Sequence, residues 1–510
     1  MRKAFRELPL LAGIVASCVA MWWRGRAFVP MDWPAGFDWE RYLRETWAYL
    51  HPGTMNSTWL EPLYPYVLGN LGPELGWPWA GMLISSVAAI LLIVGTGLLG
   101  RVLAGPWVGA VAALSIPLTP QLAAAARWVN MYPLLSGLTA LGLAGCAGFA
   151  RWPRMPWALL GGLGMGLAWA VDGRTITMLP GAILLAGMAI LIVNSHVKKA
   201  VLALVFLLGL ASGPWLQNGL RVVPREDTAQ VAEILRGIEL SKLRNSPNAA
   251  LREACMDEPS MVINPVGLMR PCAGALQWDN LERVNEGLPW GLGLTMWAFL
   301  FALLPGMRGR RQSTIAVLAL VPSLAMTWGM SRWIIVTPRY MMQVAAPAAV
   351  LVPLAAVQIW HSFIRNKTLN RQAWLGAILA GLWLWRGGPN HPDPGPLESS
   401  STYEMMAPLV QTIHEQVGEG DTLLDCSESH VEVALLPKVT HLPPTNHEGH
   451  DWERCQGWIN EPDGTGDGYV ILGTRTQVSG LVGLSLPPPW VQVLRQDGQG
   501  QTIRLWKLAR

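Results

Sequence analysis

This sequence has little charge. Asp, Glu, Lys and Arg together make up 14% of its 510 residues, against about 25% in soluble domains. Cysteine is also sparse, with 6 in the whole chain, which excludes a small fold stapled by disulfides. A formal net charge of +4 is too small to mark a nucleic-acid surface, so no nucleic acid is expected as a partner. There is no internal repeat of about 20–50 residues and no Gly-rich phosphate loop between a strand and a helix. What the chain does have is apolar residues: 51% are hydrophobic, 27 are Trp, and the mean hydropathy is +0.29. Disorder, collagen-like repeats and coiled coil are excluded by the same figures. The fold class that remains is a polytopic α-helical membrane protein.

A helix that crosses the hydrocarbon core needs about 20 mostly apolar residues. Read this way, the sequence predicts about 11 transmembrane helices. They lie roughly at 8–24, 78–100, 106–125, 130–150, 157–171, 175–193, 199–216, 289–306, 313–329, 338–360 and 372–387. The first follows Met1-Arg2-Lys3, as a signal peptide would. Trp22, Trp23 and Arg24 stand where a small-residue cleavage site belongs, so a retained anchor is expected. With the N-terminus inside, every inside segment is basic: Arg2, Lys3 and Arg6; Arg101; Arg151 and Arg154; Lys198 and Lys199; Arg308, Arg310 and Arg311; Arg365, Lys367 and Arg371. This positive-inside bias places three long segments outside, at 25–77, 217–288 and from about 388 onward. Ionisable residues collect at the outer ends of the spans: Arg127, Asp172, Arg174, Arg332 and Arg339. Transporters place such groups near the midplane, so this pattern favours chemistry at the membrane surface over passage through it.

The chain divides into a membrane domain at 1–387, a Pro/Gly-rich linker at 388–400 and a small C-terminal extracytoplasmic α/β domain at 401–510. In the last, Tyr403–Val417 reads as a helix, and 422–424, 468–472, 491–494 and 501–507 as strands. Cys18 and Cys146 fall in spans, where a free thiol behaves as a small apolar group. Cys255 and Cys272 share one outside loop, and Cys426 and Cys455 share the tail. Two local disulfides in an oxidising compartment is the natural reading, although four cysteines allow three pairings. His447-Glu448-Gly449-His450 is one residue short of the His-Glu-x-x-His helix of zinc proteases, and a polar loop beside a disulfide is favoured there.

The first outside loop carries Asp38 and Tyr42 four residues apart, with Glu40 between them, and then Glu61-Pro62-Leu63-Tyr64. At that spacing Asp38 and Tyr42 share a helix face; spacing alone fits an acidic residue at a solvated helix start as well. Pro214-Trp215-x-x-Asn218 ends the seventh span. Pro338-Arg339-Tyr340, followed by Ala346-Pro347, opens a late one. Together these resemble, in order and spacing over most of 30–360, the GT-C superfamily of membrane glycosyltransferases. The likeness is to the protein O-mannosyltransferase and aminoarabinose transferase-like relatives. There are departures. Trp39 follows Asp38 where Glu is common. Arg127-Trp128-Val129-Asn130 lacks the second Asp of many relatives. Glu61 stands where the aminoarabinose branch has Lys.

The resemblance implies a GT-C-like catalytic domain. Its donor is a sugar on a polyprenyl phosphate or diphosphate; its acceptor is a lipid, glycan or protein; the reaction inverts the anomeric carbon. By resemblance Asp38 is the general base and Glu40 its catalytic partner, raising the Asp38 pKa or positioning the acceptor. Arg339 is the phosphate ligand, with a snorkelling cation as its plain alternative. Arg127 and Tyr340 are further substrate-binding candidates, as are Tyr42 and Tyr64, which pack or orient the acidic loop. Glu61 either lines the pocket or is a solvated loop acid. Arg174 is a weaker phosphate candidate; Asp172-Gly173-Arg174 reads as a tight outer turn with a local ion pair. Loop 217–288 reads as a lid or as a rigid cap closed by Cys255–Cys272. No cofactor is fixed; the resemblance leaves room for a divalent metal, without the second acid. The protein is expected in the plasma (inner) membrane, its site on the periplasmic or extracellular face. The alternative function is a non-catalytic binder or transporter of polyprenyl-linked glycans.

Overall fold

The computed structural model describes residues 2–28, then Tyr42, Glu45, Thr46, Tyr49, Leu50 and Thr58, followed by 60–75 and 77–224. Beyond these it describes most of 284–302, 314–320, 338–363, most of 408–426, 452–461, 467–473, 485–498 and 501–509. Asp38, Glu40, Cys255, Cys272, the linker, the span at 372–387 and the tail histidines lie outside the described residues.

The membrane part is a bundle of helices. They are α1 (Arg2–Phe28), α2 (Leu63–Leu75), α3 (Trp77–Ala104), α4 (Pro106–Leu118), α5 (Pro120–Ala125), α6 (Tyr132–Arg151), α7 (Met155–Val171), α8 (Leu179–Leu191), α9 (His196–Leu220), α10 (Gly291–Ala302) and α11 (Ala345–Phe363). Among the described residues, five helices are long and apolar enough to cross a membrane alone: those over Arg6–Gly25, Trp79–Ala104, Tyr132–Arg151, His196–Leu220 and Met341–Gln358. Their outer faces explain the composition. On α1, Leu8, Leu11, Val15, Val19 and Trp22 are exposed, while Leu10 and Met21 are buried. An apolar face turned outward at helical spacing suits a bilayer, which takes the place of water there.

The span expected at 106–125 is broken into α4 and α5 at Thr119, whose backbone is extended at φ −86°, ψ 113°. Pro120 causes this, because its ring disfavours the helical conformation in the residue before it. Pro62-Leu63-Tyr64 leads into a helix absent from the sequence reading. This is α2, a separate helix of 13 residues that ends before α3 begins.

Small residues let the helices approach closely. A Cβ on Gly164 of α7 would sit 2.7 Å from the Gly142 Cα of α6, and one on Gly13 of α1 would sit 2.7 Å from the Ala110 Cβ of α4. Backbones this close gain dispersion contact where lipid supplies no hydrophobic driving force.

The helices alternate in direction, so the bundle has two polar ends. At the end holding the predicted inside residues, Arg101 donates to both Glu7 carboxylate oxygens at 2.6 and 2.7 Å. Arg151 donates to the Val102 carbonyl and lies 4.6 Å from the Trp152 ring centre. The opposite end gathers Gly25, 126–132, 172–178, 221–224 and 338–344.

The C-terminal part holds a four-stranded sheet of order β1-β2-β4-β3. The strands are β1 (Thr422–Asp425), β2 (Gly468–Gly473), β3 (Trp490–Gly498) and β4 (Gln501–Leu508). β1 pairs parallel to β2, and β4 antiparallel to β2 and β3. A parallel pair needs a crossover; it contains α12 (Trp452–Asn460), a helix absent from the sequence reading. Alternation buries both faces. Leu424, Val470, Leu472, Trp506 and Leu508 pack with Trp458 and Trp490. Leu423, Tyr469, Ile471, Ile503 and Leu505 belong to the same contiguous apolar cluster as the bundle. Cys18 and Cys146 are free, and Cys426 is disulfide-bonded.

Candidate functional site

The site is the polar end opposite Glu7 and Arg101. Its first wall is a helical segment of the first loop. Tyr42, Glu45, Thr46 and Tyr49 are all buried at spacings of three and four residues, so they share one helix face. The Tyr42 and Tyr64 rings meet edge to face, 5.5 Å between centres. Glu45 is fully buried and accepts a hydrogen bond from the Thr58 hydroxyl. The Thr58 N–H in turn donates to the Pro224 carbonyl at 3.0 Å. The Thr46 hydroxyl donates to the Tyr42 carbonyl at 2.7 Å, which helps hold the helix turn.

Glu61 stands where this wall meets α2. It is no solvated loop acid: it is buried and ion-paired with Arg221, just past the end of α9. Its other side faces the outer turn, since a Cβ on Gly173 would sit 3.3 Å from Glu61 Oε1. That turn is a short 3-10 helix, Gly173–Thr177, capped by Asp172. The Arg174 N–H donates to Asp172 Oδ1, and Arg174 Nε to Oδ2, each at 2.8 Å. Arg174 also reaches the Tyr132 hydroxyl at 3.0 Å. The structural ion pair read from Asp172-Gly173-Arg174 is therefore present.

A second 3-10 helix, Pro338–Val344, carries Arg339 and Tyr340 and leads into α11. Gln343, fully buried, donates from Nε2 to the Thr175 hydroxyl at 3.0 Å. This bond fastens the backbone that bears Arg339 to the turn that faces Glu61. Arg127 lies at the same end, its side chain against Gly25 of α1. Its loop is held by hydrogen bonds from Ser85 to the Trp128 carbonyl and from Ser86 to the Ala126 carbonyl.

Electrostatics separates the groups by environment. Burial pushes the Tyr64 and Tyr49 phenols well above the ordinary tyrosine value, so both remain neutral. Arg174 is opposed by its own burial, yet Asp172 and Tyr132 more than compensate and hold it charged. The hydroxyls of Tyr64 and Tyr49, Nη1 of Arg221 and Oε1 of Gln343 are buried without a hydrogen-bond partner. Such groups cost free energy unless something satisfies them. Among the described residues no group of three or more His, Cys, Asp or Glu is arranged to hold a metal.

The fold therefore brings Tyr42, Glu61 and Tyr64 together, and ties the segment of Arg339 and Tyr340 to the turn beside them. Glu45, Tyr49 and Arg221 are members that the sequence reading missed. A signal existed for the first two: 38, 42, 45 and 49 follow one helical stripe. For Arg221 none did, because only folding sets it against Glu61.

No protein-family model and no curated protein matches the chain in sequence. Solved structures do match in shape. ArnT from Cupriavidus metallidurans in the apo state superposes over 97% of both chains, with 12% identity and a TM-score of 0.56. The same protein bound to undecaprenyl phosphate superposes over 97% of both chains, with 11% identity and a TM-score of 0.55. The apo oligosaccharyltransferase of Archaeoglobus fulgidus covers 92% of this chain and 70% of its own at 13% identity, with a TM-score of 0.46.

Proposed function

We infer, from the GT-C fold that this chain has and from the residues gathered at one end of it, that it is a membrane glycosyltransferase using a polyprenyl-phosphate-linked sugar. The observation that carries this reading is the end-to-end superposition on ArnT, over 97% of both chains. One of the matching ArnT structures is bound to undecaprenyl phosphate.

The chemistry then divides among the residues as follows. Asp38, four residues before Tyr42 in the sequence, is the general base that deprotonates the acceptor hydroxyl; Glu40 is its partner. The acceptor oxygen attacks the anomeric carbon, the carbon–phosphate oxygen bond breaks, and the configuration inverts. Arg339 neutralises the departing phosphate with a planar fork of donors. General-base assistance and charge stabilisation of this kind are each worth factors of about 10²–10⁴. Tyr42, Tyr64 and Tyr340 shape the floor of the site; Arg127 is a further cation at its rim. The acceptor is a lipid, glycan or protein, and the site opens on the extracytoplasmic side of the plasma (inner) membrane. Cys426 and Cys455 form one disulfide of the tail, and Cys255 and Cys272 close the second outside loop.

Native mass spectrometry of the intact protein in mild detergent tests the carrier site. A co-purifying polyprenyl phosphate that the Arg339→Ala variant loses is the expected result. No such lipid, even after one is added, would overturn the reading. Transfer of a labelled sugar from the recovered lipid separates an enzyme from a binder.

A further inference from the structure

The start of the second outside loop is fastened to the first at three points. Arg221 pairs with buried Glu61. The Thr58 N–H donates to the Pro224 carbonyl at 3.0 Å. Val223 and Tyr49 bury each other in a small apolar cluster of their own. The two loops are far apart in sequence, and each contact joins the same short stretch, 221–224, to the stripe or to its connection with α2. Of the three, only the ion pair also faces the outer turn, through Gly173. Glu61 has 5% of its side chain exposed and Arg221 21%. A pair this sheltered is screened little by salt, and removal of one member takes a direct counter-charge from the other.

We propose that Glu61 and Arg221 are positioning residues: their ion pair clamps the start of the second outside loop onto the first, and so sets where the Tyr42–Glu45–Tyr49 stripe stands over the site. In its catalytic part this rests on the function proposed above, because Asp38 precedes Tyr42 by four residues in the sequence. A clamp of this kind acts on geometry and not on substrate affinity. Misplacement of a reacting group by about 1 Å costs on the order of 10²-fold in rate.

The test compares Arg221→Gln, Arg221→Lys, Glu61→Gln and the double Glu61→Gln/Arg221→Gln variant in the full chain. Transfer kinetics give kcat and KM separately, thermal unfolding reports fold, and hydrogen exchange reports the two segments. Arg221→Gln is expected to lower kcat about 10²-fold, with KM for the lipid donor within about twofold. Arg221→Lys should recover part of the loss. The double variant should lose no more kcat than either single and melt higher than Arg221→Gln, since the Glu61 carboxylate is then no longer buried without its Arg221 cation. Exchange should quicken in both 42–50 and 221–224. Losses that appear in KM, that multiply in the double variant, or that follow the melting temperature alone would overturn the proposal. If the unmodified protein transfers no sugar, the functional reading fails. Exchange then decides the clamp by itself: quickening in both segments supports it, and quickening in only one overturns it.

Discussion

Buried Tyr49 and Tyr64 make the residue scale measurable. Both phenols are raised by burial, so the folded protein keeps protons that the unfolded chain releases above about pH 10. Where the folded state binds more protons, stability falls as pH rises. Stability should therefore be full below about pH 10 and decline above it. Tyr49→Phe and Tyr64→Phe should flatten that decline in thermal melts between pH 9 and 11. An equal decline in both variants would remove these phenols as its source. Asp38→Asn tests the reaction itself. The amide cannot accept the acceptor's proton, so transfer should fall by about 10²–10⁴-fold with the melting temperature unchanged. Undiminished transfer would remove Asp38 as the base. Family motifs in the sequence made Asp38, Tyr42 and Arg339 candidates. They did not reveal Arg221, because a cation at the end of a span reads as a snorkelling side chain until a buried carboxylate is found beside it.

At the scale of elements, packing between α6 and α7 depends on missing side chains. The Gly164 hydrogen faces the Gly142 backbone at a distance where a Cβ would stand 2.7 Å from the Gly142 Cα. Gly164→Val should force the helices apart. Overpacking in a tight core costs about 1–3 kcal/mol, so a clear drop in melting temperature is expected in detergent. Gly187, on α8, has open space where its Cβ would stand, and Gly187→Ala should leave stability the same or slightly higher. A matching drop for both would mean that the close approach of Gly164 to Gly142 is not its cause. The mostly helical class was legible, because apolar runs mark helices, and five described helices are long and apolar enough to cross a membrane alone. The break at Thr119 and the separate helix α2 were not. Apolar runs with embedded prolines read as continuous when only hydropathy is followed.

At the scale of the molecule, one face of the sheet belongs, with Leu409, Ile413 and Val417, to the contiguous apolar cluster that also runs through the bundle. The C-terminal part is thus expected to support the rim. Deletion of 401–510 should lower the melting temperature of the membrane part and expose Leu and Val surface to a hydrophobic dye. Unchanged melting would make the sheet an independent appendage. Cys426 is buried and disulfide-bonded, so it should resist maleimide until reductant is added, while mass analysis after proteolysis identifies its partner. Labelling without reductant would contradict the bond.

The sequence by itself determined the class of molecule. A charge content of 14% and 51% hydrophobic residues mark a membrane protein, and the basic segments give an expected orientation before any coordinate is known. It also determined the strands of the tail, since alternation over four to eight residues is a local property. Only the tertiary structure decided which charges meet. Glu61 and Arg221 are separated by 160 positions, and Gln343 and Thr175 by 168. Periodicity reports the face a residue occupies on its own helix, whereas a buried ion pair depends on the relative placement of two helices. That placement is set by the summed packing of small residues along the whole bundle, which no local pattern records.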